Sequence, residues 1–280
     1  MKIVQDNKSI KNLCKILKKQ KNIYIDTEFL RDRTYWPLLC TIQIRTLRNS
    51  YLIDMISKSE MDFTDFKKIL KNNKITKVIH SSKQDIEVIF YKFNLIMWPV
   101  FDTQLAFGMI GNNKSVSYNN LVEMYFKNKI SKKYQQSNWQ KRPLSLSQLN
   151  YAENDVKYLP GIYKILIDQI RKKKLVRKTH IEFEKLKSVI DVYDVKKSYQ
   201  RIKLNNISKS NNLLLKKFSK WREENAQKFD LPRNWIISDK IIIHAIKKRY
   251  SKIKKTNNKN KNLNSKIEEF KKYLEREKFI

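Results

Sequence analysis

Two acidic residues inside an apolar β-strand pattern place the strongest constraint on how this chain can fold. In residues 22–29, NIYIDTEF, the apolar Ile25 precedes the first acid and Phe29 follows the second. Side chains two positions apart on a strand lie on the same face, so Asp26 and Glu28 lie roughly 7 Å apart along it. No lysine or arginine lies between them to offset their repulsion. A fold that contains this strand must either solvate the two carboxylates or bring a positive charge to them.

The order of short apolar runs predicts an α/β domain with a mixed sheet. Three strands follow one another closely, which favours antiparallel hairpins, and later strands alternate with helices. We expect strands at 22–29, 39–46, 50–54, 77–81 and 100–103, and helices at 63–72 and 83–93. Beyond these elements the pattern is mainly helical.

Capping signals predict where two further helices begin. Residues 9–20 carry apolar side chains at helical spacing, and Ser9 is the expected N-cap. Ser145 and Gln148 form a capping-box pattern at the start of a long amphipathic helix, which we expect to be continuous but bent near Pro160.

Composition shifts predict two domains joined by a polar segment. We expect a first domain at 1–175, a helical and polar linker at 176–210, and a small helical domain at 211–280. In the last of these we expect a helix, a turn around Leu231-Pro232-Arg233, a helix capped by Ser238 or Asp239, a loop at 254–264 and a final helix at 265–278.

The net charge of +34 indicates a partner with many negative charges. Lysine and arginine neutralise phosphates and release counterions, so nucleic acid is the expected partner. A second explanation stays open, because lysine, asparagine and isoleucine share A/T-rich codons and genome bias could supply part of the lysine. Only three glycines are present, which argues against a glycine-rich phosphate loop.

Cysteine usage and apolar runs predict a cytoplasmic protein. Cys14 and Cys40 match no metal-ligand spacing and make a poor disulfide framework, which favours a reducing compartment. No run of about 18 apolar residues exists, so we expect no membrane helix, and the first ten residues lack the pattern of a secretory signal.

Five residues form a candidate catalytic constellation: Asp26, Glu28, Asp85, Tyr151 and Asp155. Asp85 starts a helix after a short strand, and Tyr151 and Asp155 lie one turn apart on the long helix. Four carboxylates can share one pocket only with a compensating charge, which Mg²⁺ or Mn²⁺ supplies through oxygen ligands. Two such ions can clamp a phosphodiester, so the acids of this basic chain suggest a nuclease.

Each of these residues also has an ordinary structural explanation. The two strand acids could be an exposed edge pair, and Asp85 could be the third helical residue of a capping box with Ser82. Tyr151 and Asp155 could be a pair on a helix surface.

Aromatic residues near the first acids are candidate contacts for terminal nucleotides. Phe29, Tyr35 and Trp36 could stack on bases, and the alternative is that they pack in the protein. His80 is expected to be a structural residue at a strand end.

Several blocks of the chain together resemble ribonuclease D, a member of the DEDD superfamily of 3′→5′ exonucleases in its tyrosine-containing branch. They are IDTEFLRDRTYWPLLCTIQI, HSSKQDIEVI, FDTQLAFGMIG, SVSYNNLVEMYF and NWQKRPLSLSQLNYAENDVKYL, in family order. The resemblance implies a ribonuclease H-like fold, a mixed five-stranded sheet flanked by helices. It implies release of nucleoside 5′-monophosphates from RNA 3′ ends, with tRNA precursors or other small structured RNAs as substrates.

The same resemblance implies a role for each residue of the constellation. Asp26, Glu28 and Asp155 would hold the metal ion nearer the nucleophile, Asp26 would bridge to a second ion, and Asp85 would contribute to that ion. Tyr151 would orient the attacking water or help to deprotonate it.

The segment KWREENAQKFDLPRNWIISDKII resembles an HRDC domain, a helical module that binds nucleic acid. The alternative is that this segment is a helical cap that packs against the rest of the protein and binds no nucleic acid. Three other functions stay open: a DNA 3′→5′ exonuclease, a non-catalytic RNA-binding protein on the same fold, and an interaction platform built on the basic tail. No obligate protein partner is implied.

Overall fold

The structure is a computed structural model that describes residues 1–111, 115–131, 133–203, 208–247, 261–277 and 279. The chain divides into two compact units. The first comprises Met1–Leu30 and Leu38–Ile190, and the second comprises Arg31–Pro37 and Asp191–Ile280. This division differs from the predicted one, because the predicted linker is shared between the units and a short segment near the N-terminus belongs to the second.

The first unit is built on a mixed sheet of six strands in the order β1-β4-β3-β2-β5-β6. The strands are β1 (Lys2–Val4), β2 (Asn22–Leu30), β3 (Leu38–Arg45), β4 (Ser50–Asp54), β5 (Thr76–Ile79) and β6 (Val100–Asp102). Strand β3 is antiparallel to β2 and β4, whereas β5 runs parallel to β2 and β6. The predicted α/β class with a mixed sheet is confirmed.

The predicted number of five strands is wrong, because β1 adds a sixth. Lys2 to Val4 pair in parallel with Tyr51 to Ile53 of β4. Of these three residues only Val4 is buried. A run of three residues is too short to show the alternation by which a strand is recognised in sequence.

Eight helices surround this sheet within the described part of the first unit. They are α1 (Asn7–Leu17), α2 (Thr64–Lys71), α3 (Lys83–Phe93), α4 (Thr103–Met109), α5 (Tyr118–Phe126), α6 (Leu146–Lys157), α7 (Leu159–Lys172) and α8 (Val176–Glu184). Their apolar stripes pack against the central strands, where Ile23, Ile25 and Val78 are fully buried.

The first helix begins earlier than predicted. Asp6 is the N-cap of α1 and accepts the Ser9 backbone N–H at 2.8 Å, while the Ser9 hydroxyl is the acceptor for the Asp6 backbone N–H. Ser9 is therefore the third helical residue of a capping box and not the cap itself.

The predicted long helix is two helices, α6 and α7, that meet at Tyr158. Pro160 is the second residue of α7, a position where its missing N–H has no intrahelical acceptor to lose. The predicted capping box at the start of α6 is confirmed, since Gln148 N–H donates to Ser145 Oγ at 3.2 Å and Ser145 N–H donates to Gln148 Oε1 at 3.0 Å.

The second unit is helical. Its α-helices within the described ranges are α9 (Lys209–Phe229), α10 (Arg233–Ile236), α11 (Asp239–Ile246) and α12 (Lys261–Arg276), and a 3₁₀ segment spans Val195–Arg201. Phe218, Ile242 and Phe270 are fully buried in its core. Ser238 caps α11, as predicted, by accepting the Ile241 N–H.

The C-terminal predictions are tested only in part. Residues 254–260 of the predicted loop lie outside the described residues, and α12 begins at Lys261, four residues before the predicted start at 265. Among the helices of the described ranges, none is long and apolar enough to cross a membrane.

We predict that Lys77, a fully buried residue of β5, stabilises the sheet through its side-chain nitrogen. Its Nζ donates to the carbonyl oxygens of Asn72 at 3.1 Å, Ile75 at 2.8 Å and Trp98. Lys77→Met keeps an unbranched side chain, one atom shorter, but removes this donor from the three carbonyl groups. We expect the free energy of unfolding to fall by about 2 to 4 kcal/mol, measured by urea denaturation.

The matched control is Lys74→Met, because Lys74 is exposed. We expect that change to alter stability by less than about 0.5 kcal/mol. Equal losses in the two variants would show that the three carbonyl contacts contribute nothing.

Candidate active site

The two acids of β2 lie where this strand extends beyond its parallel neighbour. Pairing between β2 and β5 ends at Tyr24 and Val78, so the following residues of β2 have no ladder partner in β5. On the other side, Asp26 pairs with Gln43 of β3. The carboxyl ends of β2 and β5 therefore lie at the same sheet edge, which is where α/β proteins place their ligands.

Asp85 reaches this edge from the first turn of α3. Its Oδ1 accepts the Thr27 hydroxyl at 2.6 Å, and Thr27 lies between the two acids of β2. The capping-box alternative for Asp85 is wrong, because the Ser82 hydroxyl donates to Asp102 at 2.8 Å and caps nothing in the described part of α3. Asp85 is therefore directed to the acidic cluster.

Asp102 fixes the turn that precedes Asp85. Its carboxylate is fully buried and accepts the backbone N–H groups of Ser81 at 3.2 Å and Ser82 at 2.7 Å. Ser81 has a φ of 59°, a left-handed conformation that is costly for a residue other than glycine. The two hydrogen bonds to Asp102 hold this turn in place.

Helix α6 contributes Tyr151 and Asp155 from adjacent turns. One carboxylate oxygen from each of Asp26, Glu28 and Asp155 lies within 4.8 Å of the other two. We name these three residues the acid triad. The structure thus brings together acids from two elements, β2 and α6, that are far apart in the sequence.

Burial raises the pKa values of all four acids, and the charges of neighbouring acids add to this shift for Asp26, Glu28 and Asp85. The pKa of Asp26 lies well above its usual value because of burial and the charge of Asp155. Burial, with the charges of Asp26, Asp155 and Asp85, raises the pKa of Glu28 to about 10. Burial raises the pKa of Asp155 to about 7, although the Tyr151 hydroxyl opposes this shift. Burial and then the charge of Asp26 raise the pKa of Asp85.

The residues of the cluster fit a divalent cation. Asp155 Oδ2 is buried and has no hydrogen-bond partner among the described residues. All ligand atoms of the acid triad are carboxylate oxygens, which Mg²⁺ and Mn²⁺ prefer. A cation would offset the repulsion among these acids. The explanation of Asp26 and Glu28 as an exposed edge-strand pair is wrong, because β2 lies between β3 and β5 and Glu28 is buried.

Two residues that the sequence did not indicate, Tyr118 and Thr27, support the elements that carry the acids. Tyr118 Oη donates to the Asn154 carbonyl oxygen at 3.0 Å and accepts the Tyr158 N–H at 3.2 Å. Thr27 orients Asp85, as described above. Neither carries a sequence signal, because both act through contacts that only the fold creates.

His80 occupies the structural position that was predicted for it. Its Nε2 lies 3.1 Å from the Val116 carbonyl oxygen, so that nitrogen must carry a proton. Its Nδ1 lies 2.9 Å from Thr103 Oγ1, which can donate to it. Burial lowers the pKa of His80, in agreement with a neutral ring.

The three candidate stacking residues differ in position. Phe29 is half-buried against the core of the first unit. Tyr35 is buried in the second unit, where its hydroxyl bonds to the buried carboxylate of Glu223. Its ring therefore has no free face for a base, and the prediction of stacking by Tyr35 is wrong. Trp36 is half-buried, with its ring 4.6 Å from that of Tyr35.

Comparison with known proteins places this geometry among the exonucleases. Residues 1–171 match the family model described as 3′-5′ exonuclease. The chain is similar to the ribonuclease D of Bartonella henselae, with 34% identity over 248 residues, and to that of Zymomonas mobilis, with 35% identity over 242 residues. These matches cover 87% and 86% of this chain but only 60% and 62% of the relatives. The predicted resemblance to ribonuclease D is confirmed.

Solved structures show the same fold. Escherichia coli RNase D, described as an exoribonuclease involved in structured RNA processing, has a TM-score of 0.80 at 24% identity and is matched over 96% of this chain and 74% of its own. Brucella melitensis NrnC with bound Mg²⁺ has a TM-score of 0.59 at 22% identity, over 74% of this chain and 100% of its own.

We predict that the metal-free protein loses stability as pH rises and that metal reverses the loss. The folded pKa values of the acids lie above the unfolded values of about 4, so the folded state holds more protons across this interval. Stability should fall from about pH 4 through the folded values, which are about 7 for Asp155 and about 10 for Glu28. The melting temperature in chelator should therefore be lower than that in Mn²⁺, and the difference should grow from pH 5 to pH 8.

Asp155→Asn tests the origin of this divergence. We expect the variant to melt higher than the wild type in chelator at pH 8 and to lose the shift caused by Mn²⁺. Glu60→Gln, at an exposed acid, serves as the control and should behave as the wild type. A Mn²⁺ shift that is equal at both pH values, or that persists in Asp155→Asn, would contradict the prediction.

Proposed function

Because this chain belongs to the 3′-5′ exonuclease family, we propose that it is a 3′→5′ exoribonuclease that releases nucleoside 5′-monophosphates from RNA 3′ ends. The observation that carries the proposal is the convergence of the acid triad to within 4.8 Å at the edge of the sheet. The ribonuclease D relatives support RNA as the substrate. The chain spans about three fifths of their length, so its activity as a whole is inferred from the part they share.

We assign the acid triad to one divalent ion and Asp26 with Asp85 to a second, either Mg²⁺ or Mn²⁺. Asp85 is not among the acids whose oxygens lie within 4.8 Å of one another, and its Oδ1 accepts the Thr27 hydroxyl, which suits a more peripheral role. When bound, such ions stabilise the charge on the attacking and leaving oxygens of a phosphodiester displacement.

Tyr151 orients the attacking water in this scheme. Burial, with the charges of Asp155, Glu28 and Asp26, raises the pKa of Tyr151 above its usual value. The phenol therefore stays protonated and acts by hydrogen bonding. Of the two roles that the resemblance implies, orientation of the water is favoured over its deprotonation by a phenolate. The new bond joins the water oxygen to phosphorus, and the 3′-oxygen of the shortened RNA leaves.

The second unit would add contacts to the RNA as an HRDC-like module. Two observations support this role: the unit is helical within the described residues, and the likeness to RNase D of Escherichia coli covers 96% of this chain. The net charge of +34 suits a polyanionic substrate. We propose tRNA precursors or other small structured RNAs with a 3′ tail as substrates, and the cytoplasm as the location.

A DNA 3′→5′ exonuclease is the second candidate. The matching family is described only as 3′-5′ exonuclease, which does not specify the sugar. The acids are common to both activities, because they bind metal and not the 2′-hydroxyl that distinguishes RNA from DNA. A non-catalytic protein is less well supported, since all four acids and Tyr151 are present.

We predict stepwise 5′-monophosphate release from a 3′-tailed RNA in Mg²⁺ or Mn²⁺, resolved to single nucleotides on a gel. Asp26→Asn should lower the rate by at least about 10²-fold, because it removes the ligand assigned to both ions. The same sequence made as DNA should be degraded more slowly, and a 3′-phosphate should block release.

Glu60→Gln is the matched control and should cleave RNA at the wild-type rate. Faster degradation of the DNA strand would favour the second candidate. Salt-sensitive RNA binding without release of nucleotides in either metal would exclude an exonuclease.

A further inference from the structure

Arg142 lies in the loop before α6, and its guanidinium is fully engaged by polar groups. Nε donates to Asp54 Oδ2 at 2.7 Å, and Nη2 donates to Asp54 Oδ1 at 2.5 Å. Nη1 donates to the carbonyl oxygens of Trp139 at 2.7 Å and Lys141 at 2.9 Å, and Nη2 also donates to the Cys40 carbonyl oxygen at 3.1 Å. Such a bidentate pair with three extra acceptors is stronger and more directional than a surface ion pair.

The Cys40 carbonyl group, which this guanidinium binds, lies in β3 opposite β2, the strand that carries Asp26 and Glu28. Glu28 pairs with Thr41 and Phe29 pairs with Leu39, so Cys40 is the extra residue of a β-bulge. A bulge bends its strand locally and can redirect a neighbouring side chain. The guanidinium therefore holds the sheet directly beside Glu28.

Through its hydrogen bond to the Trp139 carbonyl oxygen, Arg142 also supports a cluster that includes residues of α6. The Trp139 indole is almost completely buried in a cluster with Cys40, Leu52 and Ala152. Tyr151 packs on the same cluster, and its ring centroid lies 6.0 Å from that of Trp139. The position of Tyr151 thus depends on Trp139, and the backbone of Trp139 is held by Arg142.

We propose that Arg142 is a positioning residue for the exonuclease centre. With Asp54 as its counter-ion, it joins the bulge beside Glu28 to the loop and indole that support Tyr151. It sets the distance between the metal-binding strand and the helix that carries Tyr151 and Asp155. The kinetic part of this inference rests on the proposed function, whereas the geometric part does not.

The test compares Arg142→Lys with the wild-type full chain. A lysine keeps the charge but cannot form the fork to Asp54 or reach the same set of carbonyl groups. We expect kcat on a 3′-tailed RNA to fall by about 10- to 100-fold, with KM changed by less than about threefold. Asp54→Asn, which keeps the shape of the acceptor, should give a smaller loss in the same direction.

A double variant separates positioning from general stability. If Arg142 acts through Tyr151, Arg142→Lys combined with Tyr151→Phe should, at saturating Mn²⁺, lose little more kcat than Tyr151→Phe alone. Lys77→Met is the control for general destabilisation, since Lys77 is buried in the same unit and its Nζ contacts the carbonyl oxygens of Asn72, Ile75 and Trp98 and none of the acids. It should lower the melting temperature while kcat at saturating RNA stays unchanged.

Additive losses in the double variant, or an unchanged kcat in Arg142→Lys, would overturn the proposal. Mn²⁺ affinity, measured by electron paramagnetic resonance, gives a readout that does not need activity. If the wild type binds Mn²⁺ but releases no nucleotide, the proposed function fails on its own. The positioning role then stands if Arg142→Lys weakens Mn²⁺ binding by about 10-fold or more, and falls if the two affinities are equal.

Discussion

Repulsion among clustered, partly buried carboxylates is the constraint on which the active-site region of this protein depends. Asp26, Glu28 and Asp155 bring one oxygen each within 4.8 Å of one another, and burial raises the pKa values of all three. A cluster of this kind is unfavourable without a cation, so the surrounding structure must hold the acids together at a cost in stability. A divalent cation bound by the three carboxylates would offset this repulsion.

Several buried contacts provide that support from different directions. Thr27 fixes Asp85, Asp102 holds the turn before α3, and Arg142 with Asp54 connects the β-bulge to the loop before α6. Each contact joins elements far apart in sequence and acts on the backbone or on a carboxylate. Chemistry at such a centre depends on preorganised groups, so we expect loss of these contacts to lower activity.

Local patterns were sufficient to predict the elements that carry the acids. Alternation identified β2, and the apolar spacing of 83–93 gave the bounds of α3 as the structure has them. Long-range contacts could not be predicted in the same way. Tyr35 is buried because it bonds to Glu223, 188 residues away, and no signal near Tyr35 indicates that partner. The helix break at Tyr158 was also missed, because the apolar spacing continues through it.

Diffraction from crystals of the protein grown in Mn²⁺, with anomalous data collected at the manganese edge, tests the central claim most directly. We expect one anomalous peak among the carboxylates of Asp26, Glu28 and Asp155, and a second beside Asp26 and Asp85. Absence of any peak at this edge of the sheet at saturating Mn²⁺ would contradict the claim that the acids form a metal centre.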